Sequence, residues 1–324
     1  MPKQETKFNL VVNSAPHIQV DDHILRRMWV TFFALIPSGI AGIFIFGIQA
    51  FYVALVSILA ALFTEALFQK FQAKKVTLLD GSAIITGLLL AYTLPPGVPL
   101  WLAAVGSIFS VAIGKHLFGG LGANIFNPAL VGRAFLMASW PKYMTTWMNP
   151  RWQVDAVSSA TPLMLAKEKG LHVISQMGVT YKDLFLGNRP GCIGEVCILA
   201  LLLGAAVLLI KKYIDWRIPG AYILSFAFFS RAFMGEGLFK GDIIFQILSG
   251  GLILGAFFMA TDYVTAPITK KGKIIFGIGC GILTFVIRKW AGYPEGVCYA
   301  ILLMNVATPI IDRFSMPAKY GYKK

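Results

Sequence analysis

The residues best suited to chemistry lie in one short polar stretch at 155–163, which reads DAVSSATPL. Thr161 offers a secondary hydroxyl among small neighbours, and the proline after it favours an extended backbone at Thr161. A modifying enzyme could reach and esterify such a hydroxyl. The pattern is also typical of a helix start, with Thr161 as N-cap and Pro162 at the first helical position. The local pattern alone favours the cap, and an unmodified hydroxyl can serve as one.

Other polar candidates lie inside or beside apolar segments. An unpaired charge at Arg133 would cost about 2.5–3.5 kcal/mol or more in a membrane, so this side chain needs a structural partner or a cofactor contact. Glu65 is placed near the end of the second helix, where its carboxylate can reach the membrane interface or line a cation path. Asn124 and Asn127 fall at a predicted helix break, where they either satisfy the backbone or contact a cofactor.

Several classes of site are excluded by spacing. The four cysteines, Cys192, Cys197, Cys280 and Cys298, form no CxxC pair, which favours small apolar residues of helices over cluster or disulfide ligands. No GxGxxG, P-loop or HExxH motif occurs, so no standard nucleotide or zinc site is predicted. We therefore predict no metal in this chain.

The composition indicates a membrane protein. Of 324 residues, 57% are hydrophobic and only 14% are charged, against about 25% charged in soluble domains. The run from Ala34 to Thr64 contains no charged residue, and about 20 apolar residues suffice to span a bilayer. The net charge of +14 comes from residues at the ends of apolar segments, which favours membrane orientation over nucleic-acid binding. The N-terminal 22 residues lack the apolar region of a cleaved signal.

Hydropathy and helix breakers together predict an all-α polytopic fold of about ten transmembrane helices. These helices are expected near 28–47, 50–69, 81–94, 99–117, 125–139, 194–210, 218–233, 243–260, 274–287 and 297–311. Several are short and interrupted at LPPGVP (94–99), NPALVG (127–132), TDYVTAP (261–267) and VATP (306–309). Irregular backbone at membrane depth must be buried in protein or line a cavity, so a site is expected near these breaks.

Charge and internal similarity predict the topology. With the N-terminus in the cytoplasm, 18 of the 29 Lys and Arg residues fall on the cytoplasmic side, as the positive-inside rule requires. The stretches 86–133 and 251–313 resemble each other, which predicts two inverted five-helix repeats. The predicted organisation is a cytoplasmic segment (1–27), a first repeat (28–139), an extracytoplasmic loop (140–193), a second repeat (194–311) and a cytoplasmic tail (312–324).

The polar stretch, together with DGSAIITGLLL (80–90), LPPGVP and GKHLFGGLGANIFNPALVGRAF (114–135), resembles the D subunit of Rnf-type ferredoxin:NAD+ oxidoreductases. The B subunit of the sodium-pumping NADH:quinone oxidoreductase shares the pattern. The resemblance implies that a flavin transferase joins FMN to Thr161 through a phosphoester. Asp155 would be recognised by that transferase, and Ser158 and Ser159 complete the motif, although family members often have Gly at the second position.

The resemblance also implies a working context. It predicts a membrane electron-transfer subunit in a complex that couples ferredoxin and NAD chemistry to Na+ or H+ movement. The expected partners are the C, G, E, A and B subunits, above all the flavin-bearing G subunit. A second, non-covalent flavin (riboflavin) is expected near Asn124 and Asn127 and their counterparts Asn305 and Pro309. The alternatives are a quinone-reductase subunit of the same family, a urea- or ammonium-type channel, and a scaffold.

Overall fold

The computed structural model describes residues 24–73, 77–151, 161–170, 180–235, 237–292 and 295–317, and among these there are helices and no strands. The all-α class predicted from the sequence is confirmed. The helices are α1 Ile24–Phe46, α2 Ile48–Phe71, α3 Ser82–Tyr92, α4 Leu100–Ala112, α5 Pro128–Ser139, α6 Pro141–Met144, α7 Pro162–Lys169, α8 Tyr181–Leu186, α9 Ile198–Ile210, α10 Arg217–Phe233, α11 Ile243–Leu248, α12 Leu252–Leu254, α13 Lys270–Trp290 and α14 Val297–Ser315.

Apolar helices of membrane-spanning length define the chain as a multi-pass membrane protein. Four segments combine the required length with an apolar composition: 24–46, 48–71, 100–118 and 297–315. Helices α3, α5 and α9 are apolar but shorter. Each predicted span coincides with a helix or a broken pair of helices, while ten complete crossings and the inverted repeat stay predictions.

The helices pack as neighbours around one apolar core. Helix α1 packs against α9, α2 packs against α3 and α4, and α10 and α14 both pack against α13. The sides of α1 and α2 that face away from this core carry exposed apolar residues such as Phe33, Phe44 and Phe63. Apolar side chains are expected there because these sides face lipid.

Three of the four predicted breaks are confirmed. The chain leaves the helical conformation between α3 and α4, before α5, and between residues 259 and 270. The predicted break at VATP is wrong, because α14 continues through Pro309 to Ser315. A proline removes one backbone donor, and membrane helices tolerate this where neighbouring groups compensate. Here the hydroxyl of Thr308 donates to the carbonyl of Thr265 at 3.0 Å, which ties the helix to the adjacent segment.

The predicted helix 243–260 is also wrong as one continuous helix. It divides into α11 and α12, and α12 runs into one turn of π-helix, Gly255–Met259. At the division, Gly250 has a φ of +67°, a conformation that residues with a Cβ rarely adopt. The carbonyls of Gln246 and Ser249 at this division accept hydrogen bonds from the side chain of Arg288 in α13.

Different segments of the chain lie at the two ends of the helix bundle. The backbone N–H of Arg151 donates to the carbonyl of Ile45 at 2.9 Å, so the long 140–193 connection returns to the C-terminal end of α1. We call this end the motif face. The N-terminal end of α1 and the C-terminal end of α9, with Arg27 and Lys212, lie at the opposite end, which we call the basic face.

Candidate cofactor-binding site

Thr161 forms the N-cap of α7. Its Oγ accepts a hydrogen bond from the backbone N–H of Met164 at 3.2 Å, and Pro162 begins the helix. The cap expected from the local pattern is therefore confirmed. The side chain is buried, whereas the sequence pattern predicts a hydroxyl that a modifying enzyme can reach. The other motif residues, Asp155, Ser158 and Ser159, lie outside the described residues.

Helix α7 is fixed to the second half of the chain. Leu163 packs with Leu184 of α8 and Phe245 of α11 in a small buried cluster. The ammonium of Lys167 donates to the carbonyl of Ala291, just after α13 ends. These contacts hold the N-terminus of α7, and with it Thr161, beside the break between α11 and α12.

Arg288 of α13 closes that break. Its Nη1 donates to the carbonyl of Gln246 at 2.6 Å and its Nη2 to that of Ser249 at 3.1 Å. Its Nε donates to the carbonyl of Glu295 at 2.9 Å. A Cβ on Gly250 would lie 3.2 Å from both Arg288 Nη2 and Leu163 Cδ2. The glycine therefore permits the close approach of α7, the break and α13.

Arg133 has a structural partner. Its Nη2 forms an ion pair with the carboxylate of Glu295, and its Nη1 donates to the carbonyl of Thr93 at 2.6 Å. Of the two roles weighed from the sequence, the structural contact is present. The pair joins the first predicted repeat to the second, and the loss of either partner would leave a charge buried without compensation.

Two further charged residues extend this pair into a buried group. The backbone N–H of Cys192 donates to Glu195 Oε1 at 3.2 Å, while Glu195 Oε2 has no hydrogen-bond partner among the described residues. Arg189 is 2% exposed, and its Nε and Nη2 are likewise unpartnered within the described ranges. We call Arg133, Arg189, Glu195, Arg288 and Glu295 the motif-side ionic cluster. Its three guanidinium groups outnumber its two carboxylates.

Four members of this cluster are not predicted from the sequence. The charge pattern places Arg288 in a loop outside the membrane, but the side chain is fully buried. Arg189 and Glu195 stand in NRPGCIGEVC (188–197), a stretch that is otherwise rich in Gly, Cys and Pro. Charged residues are rarely buried unless they are paired. An Arg and a Glu in such a stretch are therefore the signal that could have predicted buried, interacting charges.

The cluster also brings together three groups that could ligate a metal. Cys192, Glu195 and Glu295 each place one ligand atom within 4.8 Å of the others. However, the guanidinium of Arg133 bonds to Glu295 and lies 3.7 Å from Cys192 Sγ. At this group, Arg133 already supplies the positive charge that a metal would bring.

The asparagines expected near a second flavin join the two halves of the chain. Asn127 Oδ1 caps α5 by accepting from Ala129 N–H at 3.1 Å, and its Nδ2 donates to the carbonyl of Met259 at 3.2 Å. With the amide of Asn305 oriented to satisfy both its atoms, Asn305 Oδ1 accepts from Asn127 N–H at 3.0 Å. Asn124 Nδ2 donates to Phe126 O at 3.1 Å. The backbone-satisfying role is therefore present.

Asn124 and Asn127 also line a cavity between the halves, of about 100 Å³. Lys115 and Asp262 contribute charged groups to its wall, and most of the remaining lining is apolar. Sites for drug-sized ligands usually measure about 300–1,000 Å³. A three-ring flavin therefore does not fit this cavity unless the lining side chains move.

The expectation that Glu65 reaches the membrane interface is wrong. Its side chain is buried, and its Oε2 accepts from Lys115 Nζ at 2.8 Å. Its Oε1 accepts from Gln69 Nε2 at 2.8 Å, and Lys115 Nζ also donates to Ser82 Oγ at 2.8 Å. His116 Nε2 lies 3.0 Å from the same carboxylate. Burial is tolerated here because the charges compensate each other.

These features define a class: a polytopic α-helical membrane protein with broken helices, a buried ionic cluster and a threonine that caps a short helix. The NQR2, RnfD, RnfE family model matches residues 11–321, and the chain belongs to that family. It is 48% identical over 331 residues to the D subunit of the proton-translocating ferredoxin:NAD(+) oxidoreductase complex of Clostridium ljungdahlii, covering 100% of both chains. The D subunit of the Na(+)-translocating complex of Acetobacterium woodii is 46% identical over 323 residues, covering 98% of this chain and 97% of the relative. The D subunit of the ion-translocating oxidoreductase complex of Stutzerimonas stutzeri is 40% identical, covering 89% of each.

Proposed function

We propose that this chain is the membrane electron-transfer D subunit of an Rnf-type complex, with FMN esterified to Thr161. The relatives that match over their full length bear the name of this subunit. The observation that carries the flavin proposal is the position of Thr161. Its hydroxyl lies at the N-terminus of an anchored helix, whose Leu163 approaches the break that Arg288 closes. Arg288 belongs to the buried cluster, which also contains arginine donors that are unpartnered among the described residues.

The N-terminus of α7 fits a phosphoester. The first N–H groups of a helix lack partners within the helix, and its dipole places partial positive charge at this end. Both features favour a phosphate. The N–H of Met164, which now donates to Thr161 Oγ, is one of these donors. Esterification keeps a threonine oxygen at the same place while adding phosphate oxygens that can accept from the first turn.

The motif-side ionic cluster fits the remainder of the cofactor. Its excess of one positive charge favours the binding of an anionic group, such as a reduced flavin. A buried guanidinium with unused donors is costly unless a ligand, water or another group completes it. Arg189 is the member with unused donors for this role, because Arg133 and Arg288 already donate to the protein.

In this proposal the protein positions the cofactor, which carries the redox chemistry. FMN supplies the capacity to accept and pass on one or two electrons. Leu163 and Lys167 keep α7 in place, and the arginines compensate negative charge. The C, G, E, A and B subunits would complete the complex, with the flavin-bearing G subunit as the electron partner. A flavin transferase would be needed for maturation, and the complex would couple electron transfer to Na+ or H+ movement.

We also propose the orientation predicted by the charges. The motif face would lie outside the cytoplasm, and both termini would lie inside it, in the cell membrane. The concentration of Lys and Arg on the side of the termini supports this arrangement. An impermeant amine reagent applied to intact cells should label Lys182, which is exposed in α8, and not Lys271 at the start of α13.

Riboflavin between the helices is the second cofactor of the proposal. The lining of the cavity at Asn124 and Asn127, with two amides in an apolar wall, supports it. The small volume does not, and we therefore derive no electron-transfer step through this site. Extraction of non-covalent flavin from the purified complex, followed by chromatography, tests whether riboflavin is present.

The alternatives predict different chemistry. The corresponding subunit of a sodium-pumping quinone reductase would carry the same threonine-bound flavin, but it would assemble with NADH:quinone oxidoreductase subunits. A urea- or ammonium-type channel would carry no flavin. The relatives named as ferredoxin:NAD(+) oxidoreductase subunits favour the Rnf assignment over both.

The decisive experiment is co-expression with a flavin transferase, followed by denaturing electrophoresis and intact-mass measurement. The wild-type chain should fluoresce in the gel and gain the mass of one FMN less water. Thr161→Val should lose both signals. Thr180 provides a matched control because it caps α8 in the same way, so Thr180→Val should keep both. A wild-type chain without added mass, or a fluorescent Thr161→Val variant, would refute the attachment.

A further inference from the structure

A cavity at the basic face takes no part in the proposed electron path. It measures about 690 Å³ and lies among the N-terminal end of α1, the turn from α9 to α10, the segment before α13 and the start of α13. This is the end of the bundle opposite Thr161. Any function of the cavity is therefore independent of FMN at Thr161.

Basic residues dominate the charges that line this cavity. Four cationic side chains, Arg27, Lys212, Arg217 and Lys273, face two carboxylates, Asp215 and Asp262. The excess of two positive charges favours an anionic ligand. A concave basic site between helices at the cytoplasmic side is the kind of place where anionic lipid headgroups bind.

Two of these cations are fixed in place before any ligand arrives. Asp215 accepts hydrogen bonds from Arg217 Nη1 at 3.1 and 3.0 Å and from Lys273 Nζ at 3.1 Å. These three side chains are only partly exposed. Since their positions are already restricted, less side-chain entropy is lost when a ligand binds.

Aromatic rings place the cavity at the level of the membrane interface. The guanidinium of Arg27 lies 5.7 Å from the ring centre of Tyr213 and 5.2 Å from that of Tyr263. Trp216 is 65% exposed at the cavity rim. Tyr and Trp concentrate at the headgroup level of membranes. Ile268, which also lines the cavity, is 77% exposed and offers an apolar surface to acyl chains.

Lys212 lines the cavity from the left-handed turn that follows α9. Its φ is +57°, a left-handed conformation in which Gly or Asn is favoured at the end of a helix. Strained residues of this kind cluster at ligand clamps. Lys212 lines the cavity, whereas the adjacent Lys211, also exposed, does not.

We propose that this cavity binds the phosphate of an anionic phospholipid, such as phosphatidylglycerol, from the leaflet at the basic face. The cations bind the phosphodiester, Trp216 lies among the headgroups, and the acyl chains extend along the apolar surface beside Ile268. A lipid is favoured over a soluble phosphate because the cavity opens where apolar and aromatic side chains are exposed together.

The test measures lipid binding to the purified complex by native mass spectrometry, with short-chain phosphatidylglycerol and phosphatidylcholine as probes. Phosphatidylglycerol should bind more tightly. Lys212→Gln should weaken its binding about fivefold, the effect of one basic residue at a membrane surface. Lys211→Gln removes the same charge one residue away and should leave the dissociation constant unchanged.

Lys212→Gly separates binding from folding. Because glycine adopts a positive φ without strain, this variant should melt at a higher temperature in phosphatidylcholine and still bind phosphatidylglycerol about fivefold more weakly. Equal losses in Lys211→Gln and Lys212→Gln would refute the site. Tight phosphatidylcholine binding, or displacement of the lipid by millimolar inorganic phosphate, would also refute an anionic-lipid site.

Discussion

The Glu65–Lys115 pair and the motif-side ionic cluster are both buried, but they differ in how fully their polar atoms are partnered. Both oxygens of Glu65 accept hydrogen bonds, and Lys115 Nζ donates two. Glu195 Oε2 and two nitrogens of Arg189 have no partner in the described part of the chain. The Glu65–Lys115 pair is stabilised without a ligand, although both ring nitrogens of the neighbouring His116 lack a hydrogen-bond partner among the described residues, whereas the motif-side ionic cluster retains arginine donors for a ligand. The comparison supports FMN at the motif face.

The largest expected effect is on the completed pair. Glu65→Gln leaves the ammonium of Lys115 buried without a counter-charge, and we expect a loss of about 3–5 kcal/mol in the free energy of unfolding. Thermal melts in detergent measure it. The double variant Glu65→Gln/Lys115→Met removes both charges and should recover much of the loss. If the single variant melted like the wild type, the pair would not be a structural element.

A smaller effect is expected at the break beside the cluster. Gly250→Ala places a Cβ at a φ of +67°, 3.2 Å from Arg288 Nη2 and Leu163 Cδ2. We expect a loss of about 1–2 kcal/mol, since a left-handed backbone is unfavourable for alanine. Gly292 is the matched control, because its Cβ would meet no atom of the described residues within 4 Å. Equal melting temperatures for Gly250→Ala and Gly292→Ala would contradict the close approach of α7 to the break.

A substitution in the motif-side ionic cluster should change the midpoint potential of bound FMN more than the free energy of unfolding. Arg189→Gln removes donors that the described protein does not use, so the loss of stability should be about 1 kcal/mol or less. If Arg189 stabilises reduced FMN over oxidised FMN tenfold, its removal lowers the midpoint potential by about 30 mV for a two-electron couple.

Spectroelectrochemistry of the flavinylated chain measures this shift, and Arg189→Lys should restore part of it. Lys182→Gln, at an exposed basic residue of the same connection, should not change the potential. An unchanged potential in Arg189→Gln, with FMN still bound, would place the flavin away from Arg189.

The smallest effect is expected at an exposed, fully partnered carboxylate. Hydrogen bonds from the hydroxyl and backbone N–H of Thr180 hold the pKa of Asp183 below its usual value. Ionised Asp183 therefore stabilises the fold above the pKa of the unfolded chain, and this stability is lost as the pH falls through the lower folded pKa.

Asp183→Asn should cost up to about 1 kcal/mol at pH 7, the usual size of a helix-cap effect. The difference from the wild type should shrink in melts as the pH falls through the lowered folded pKa of Asp183 and the carboxylate becomes protonated. A difference that persisted under acid conditions would mean that the charge of Asp183 contributes nothing.

Local features of the sequence predicted much of the fold. Long uncharged runs located α1 and α2, and Pro and Gly located the breaks at 94–99 and 261–267. The cap at Thr161 followed from Thr before Pro. These predictions succeeded because the interactions involved connect residues only a few positions apart.

The ionic cluster could not be predicted in this way. Arg133 and Glu295 are 162 residues apart, and Arg288 bonds to carbonyls about 40 residues away. Which charges meet depends on how the helices pack. The break at Gly250 was missed for the same reason, since a distant arginine satisfies its carbonyls. At Pro309 a break was predicted where the helix in fact continues. The hydrogen bond from Thr308 to Thr265 stabilises a helix that the proline alone would weaken.

The Arg133–Glu295 pair has a consequence for how the chain matures in the membrane. Arg133 enters the membrane with the first half, but its counter-charge emerges from the ribosome only 162 residues later. Until then the guanidinium must be shielded by water, lipid headgroups or the insertion machinery. A protein cut between its halves would therefore expose this charge to quality-control proteases, unless both fragments were made together.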